Sequence, residues 1–67
     1  MKLIVLCDSD SNEIIALAER LGGEFVNFFT HDRGFLFHFN FVIPTFGEQF
    51  IKAAVWYSEF LEVNTNV

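Results

Sequence analysis

Cysteine, proline and positive charge are all scarce in this chain, and each scarcity closes off a class of explanation. Cys7 is the only cysteine, so no intrachain disulfide can brace the fold and no Cys-x-x-Cys motif exists. A lone thiol fits a reducing compartment, and the expected location is the cytoplasm. His31 and His38 are the only histidines, too few for a zinc site unless acidic residues or Cys7 complete it. Four basic residues (Lys2, Arg20, Arg33 and Lys52) stand scattered among nine carboxylates, for a formal net charge of −5. Such a balance repels phosphate backbones, so nucleic acid is not an expected partner. The apolar run that starts at Leu3 stops at Asp8, short of the roughly 7–15 residues of a signal-peptide core. No stretch approaches the roughly 20 apolar residues of a membrane span, and no membrane association is expected. The sequence carries no Ser/His/Asp set, Gly-rich phosphate loop or zinc-ligand spacing, so neither catalysis nor a cofactor is expected.

Aromatic rings, by contrast, are abundant. Hydrophobic residues make up 52% of the chain, and ten of its 67 residues are Phe. A single domain spanning residues 1–67 lies near the lower limit at which one core sustains a fold. Its interior is too small for so many rings. Some aromatic surface must stay exposed or be covered by another chain.

The periodicities predict five elements and a short tail. Residues 2–7 form an unbroken apolar run that reads as a strand buried on both faces, hence central in a sheet. Asp10-Ser11-Asn12-Glu13 has the spacing of a capping box. Ile14, Leu17, Ala18 and Leu21 follow at helical intervals, and Gly22-Gly23 supplies a left-handed stop. Residues 24–30 make a second strand, and His31-Asp32-Arg33-Gly34 a hairpin turn. Residues 35–43 alternate cleanly: Phe35, Phe37, Phe39 and Phe41 on one side, Leu36, His38, Asn40 and Val42 on the other. Pro44 ends that strand, and Thr45-Phe46-Gly47-Glu48 is a second capping box. It opens a helix to about Leu61, with Phe46, Phe50, Ala53, Ala54, Tyr57, Phe60 and Leu61 on one arc. The tail, residues 62–67, is a short edge strand or a frayed end. The fold class is therefore α+β, a small β-α-β-β-α(-β) two-layer sandwich. With its last strand this is the split β-α-β plan of the ferredoxin-like fold, an antiparallel sheet with two helices on one face.

Several residues are candidates for function. Asp8 and Asp10 follow a central strand, where a divalent cation could find carboxylates. The competing reading gives Asp10 to the helix cap and Asp8 to the positive helix end. Cys7 lies near that helix end, which would activate a thiol, yet it closes a buried apolar run and reads as inert core. His38 shares a mixed sheet face with Leu36, Asn40 and Val42, to which Phe25, Asn27 or Phe29 of the second strand could add. On the second helix, Ile51 and Val55 flank the core arc on one side and Trp56 on the other. A tryptophan at that boundary is either an interface anchor or a lid over its own core.

These features predict a small acidic protein-binding module, a regulator or inhibitor that occupies a partner's surface. Its carboxylates would steer it toward a basic protein. In size and charge the chain resembles the small host-takeover and defence-blocking proteins of bacteriophages, anti-CRISPR proteins among them, which implies inhibition by binding. The alternative is an oligomeric small enzyme or ligand-binding subunit with a divalent-metal site at Asp8 and Asp10. Both readings expect a homodimer, joined through Leu36, His38 and Val42 or through Ile51, Val55 and Trp56.

Overall fold

An apolar strand with hydrogen-bonding groups on both edges is stable only between two partners, and residues 2–7 obtain them. In the computed structural model, which describes residues 1–8, 12–55 and 58–64, strand β1 (Lys2–Cys7) is followed by helix α1 (Asn12–Arg20) and strand β2 (Gly23–His31). Strand β3 (Gly34–Phe41), helix α2 (Pro44–Ala54) and strand β4 (Glu59–Asn64) complete the order. The four strands form one antiparallel sheet in the order β2-β3-β1-β4, so β1 and β3 hold the centre.

The period-two pattern of β3 decides where the core lies. Leu3 pairs with Phe39, Val5 with Phe37 and Cys7 with Phe35, so paired apolar side chains leave the sheet on one side. Phe37, Phe39 and Phe41 are fully buried there with Leu3, Val5 and Cys7, and Phe35 packs at the margin. Ile14 and Ala18 of α1 and Phe50 and Ala54 of α2 complete the same cluster. Both helices thus lie on one face. Phe50 joins the layers, its ring centroid 5.1 Å from Phe39, 5.4 Å from Phe41 and 5.9 Å from Phe60. Met1 adds a buried side chain, and its amino group donates to the Phe41 carbonyl at 2.7 Å.

Local signals explain most boundaries. Gly22 takes a φ of 85° and stops α1, the left-handed conformation that glycine adopts without a Cβ penalty. The capping box proposed for α1 rests on Asp10 and Ser11, which lie outside the described residues. The second capping box does not form. Ile43 occupies the N-cap of α2 with no side-chain cap, and Pro44 sits in the first turn. Proline's fixed φ suits that position, and it places Thr45 inside the helix, where it cannot cap.

Two expected boundaries are corrected. Strand β3 ends at Phe41, not residue 43, because its last pair with β1 is Asn40 with Lys2. Val42 has no strand partner and is 81% exposed in the bend before α2. Helix α2 ends at Ala54 rather than near Leu61. The free edge of β1 offers a row of unpaired backbone groups, and Glu59–Asn64 satisfies them as β4. Phe60 still reaches the core, but from a strand. Leu61 stands unpaired at a bulge between the Ile4–Glu62 and Val5–Phe60 pairs and is exposed.

Two substitutions test this account. Phe50→Ala removes the ring shared by both layers and should cost about 3–5 kcal/mol, leaving the far-ultraviolet spectrum of an unfolded chain at 25 °C. Gly34 has a φ of 140° and faces the backbone of Cys7 and Asp8, where a Cβ would collide. Gly34→Ala should therefore destabilise by more than about 1 kcal/mol in urea titration. Near-native midpoints for both variants would contradict the packing described.

Candidate functional site

Among the described residues, no helix lies over the second face of the sheet. The register places its side chains in rows. Glu24, Asn40, Lys2 and Asn64 form one row, Asn27, His38, Ile4 and Glu62 the next, and Phe29, Leu36, Leu6 and Glu59 a third. Leu36, His38 and Asn40 come together as their alternation requires, each half-buried by its neighbours. Val42 does not join them, since it lies past the strand end.

A bulge in β2 determines which aromatic rings this face receives. Phe25 pairs with Phe39 and Asn27 with His38, so Val26 is the extra residue and the alternation shifts phase. Phe25 consequently packs on the helix side against Phe37 and Phe39, not on the His38 face. Phe28 follows it and stacks on Phe37 at 5.8 Å, with its outer edge exposed. Asn27 and Phe29 turn to the open face. The Phe29 ring meets the His38 imidazole edge-on at 5.1 Å and remains 46% exposed, and Val26 is 57% exposed.

Between these rows lies a depression of about 280 Å³ walled by Lys2, Ile4, Val26, His38, Asn40 and Glu62. The Asn40 Oδ1 is sheltered from solvent and accepts no hydrogen bond. A buried acceptor without a donor costs about 1–3 kcal/mol, a local cost that the rest of the fold offsets. At the other end of the face Leu6 is buried beside Arg33 and Glu59, whose ion pair spans 3.5 Å. Both partners are largely exposed, and the pair adds little to stability. In the hairpin turn the Arg33 backbone N–H donates to His31 Nδ1 at 3.0 Å, which assigns His31 to turn structure.

The remaining candidates separate. Ile51 is half-buried against the core, and Val55 is exposed just past α2. Trp56 and Asp10 lie outside the described residues. Asp8 is exposed after β1, and among the described residues no three His, Cys, Asp or Glu side chains converge to hold a metal. Among the described residues, too, no helix is long and apolar enough to cross a membrane. Ile4, Val26 and Glu62 escaped sequence reasoning. The alternation of β1 marks Ile4 as facing away from Leu3 and Val5, but Val26 depends on a bulge and Glu62 on the pairing of a tail whose sequence fits an edge strand or a frayed end alike.

Cys7 is buried, and burial, with the Asp8 carboxylate second, holds its thiol above the ordinary pKa. The thiolate is the reactive form, so iodoacetamide should alkylate the native chain far more slowly than the urea-unfolded chain. The folded chain keeps the thiol proton where the unfolded chain loses it. Stability should therefore decline as pH rises past roughly 8.5 toward the higher folded-state value, and Cys7→Ala should flatten that slope. Equal alkylation rates in the two states would contradict the burial. No protein-family model, curated protein or solved structure matches this chain.

Proposed function

We propose that the chain is a protein-binding module, a regulator or inhibitor that acts by laying its open sheet face on a partner protein. One observation carries the reading: a sheet face that none of the described helices covers presents Phe29 and Val26 to solvent beside half-buried Leu36 and Ile4. Exposed aromatic and aliphatic groups among polar neighbours are the usual make-up of an interface centre. The acidic balance of the chain, −5 overall, favours approach to a basic surface.

The wider features agree with this reading. The order β2-β3-β1-β4, with α1 and α2 linking strands across the sheet, suits the split β-α-β plan of the ferredoxin-like fold, which leaves one sheet face free. A lone, buried thiol suits the cytoplasm. A second copy of the chain is a possible occupant of the same face, and light scattering at micromolar concentration reads that directly.

The test is affinity capture from the source cell followed by reconstitution with purified partner. Wild type and Glu19→Gln, altered at an exposed position of α1, should retain one stoichiometric protein partner. Phe29→Ser should weaken the purified complex by at least about tenfold, the loss common for an aromatic anchor, while its thermal midpoint stays close to wild type. A partner held equally by Phe29→Ser would remove the open face from the reading.

A further inference from the structure

Strand β2 is an edge of the sheet, and among the described residues no strand pairs with its outer side. Alternate residues of such a strand turn backbone N–H and C=O groups outward, ready for another strand. The two edges of the sheet are guarded differently. Strand β4 carries Glu59 and Glu62, and carboxylates along an edge oppose further pairing. Across Phe25–Thr30, β2 has no charged residue and no proline, and Val26, Phe28 and Phe29 expose apolar surface there. We propose that this edge pairs, antiparallel, with β2 of a second copy of the chain, an inference that goes beyond the protein-binding reading and does not require it.

Charge selects the occupant. Glu24 stands near one end of β2 and His31 closes the other. His31 Nδ1 accepts the Arg33 backbone N–H, so in the neutral ring Nε2 carries the proton and is a donor for a carboxylate. Antiparallel self-pairing brings the Glu24 end of each copy to the His31 end of the other. Parallel pairing would set carboxylate beside carboxylate.

The register follows from the same contact. With Phe28 opposite Phe28 at the twofold axis, Asn27 meets Phe29, Phe25 meets Thr30 and Glu24 meets His31. Each pair leaves the sheet on a shared face, as antiparallel neighbours must. Val26 is left over as the bulge, as it is against β3. The exposed edges of the two Phe28 rings then cover each other, and the contact is the same patch on both copies. The two four-stranded sheets become one, and their open faces lie side by side, still uncovered. An edge contact of this kind falls in the small, transient class of interface, below about 1,200 Å² in total.

The test is sedimentation velocity of the full chain from low micromolar to millimolar concentration. Wild type should pass from one copy to two. Phe28→Lys sets two ammonium groups opposite each other at the axis and should weaken the dimer by at least about tenfold. Thr30 is exposed, so Thr30→Lys guards the edge without touching the core and keeps the test valid even if Phe28→Lys disturbs the fold. It too should weaken the dimer several-fold. A crosslink reads the register. In a Cys7→Ala background, Phe28→Cys should oxidise to a disulfide-linked dimer, because directly opposed residues lie within disulfide reach. Glu48→Cys, on the exposed side of α2, should crosslink far more slowly. A chain that stays one copy at millimolar concentration, a Thr30→Lys dimer of wild-type affinity, or equal crosslinking at both cysteines would overturn the proposal. Each of those results leaves the protein-binding reading standing, since that reading depends on Phe29 and on capture of a partner.

Discussion

Phe35, Phe37, Phe39 and Phe41 leave β3 on the same side, and the rest of the molecule is arranged around that fact. Their rings create an apolar surface that needs cover along its full length, and α1 and α2 both supply it. The described residues form two short helices, both on that side, and none of them covers the opposite face of the sheet. Phe50 makes the arrangement cooperative by touching rings on β3 and β4 together. The bare face is thus a geometric consequence of the covered one.

The same constraint accounts for the surplus of rings. Four phenylalanines are wholly buried, and Phe28, Phe29 and Phe46 are exposed. In so small a body the ratio of surface to volume limits how many large side chains can be enclosed. The chain disposes of the excess unevenly. Phe28 stays in ring contact at the margin of the core, whereas Phe29, paired with Leu36 next to the hairpin turn, faces outward against His38. A single inserted residue, Val26, shifts the phase of the strand beyond Asn27 and so puts Phe25 on the helix side.

How much of this was legible beforehand depended on whether the governing interaction was local. The alternation of residues 35–41 and the glycine stop at Gly22 are local, and both appear in the structure as the sequence pattern predicts. The central position of β1 was legible from its apolar run. The end of α2 was not, because Phe60 and Leu61 continue its spacing while the free edge of β1 draws the segment into a strand. The face bearing Leu36, His38 and Asn40 was legible as a row. The depression beside them was not, because it is assembled from three further strands across a register that sequence does not state. Ile51 packs half-buried on the core from the flank of α2, where its helical spacing puts it.

The central claim is that a single copy of this chain has one sealed sheet face and one bare face. A soluble paramagnetic probe, added at a concentration where the chain sediments as one copy, reads that asymmetry residue by residue. The account expects strong attenuation of the Phe29 ring and Val26 methyl signals, with Phe37, Phe39, Phe41 and Phe50 unaffected. Comparable attenuation on the two faces, or a Phe29 ring shielded as well as Phe37, would contradict it.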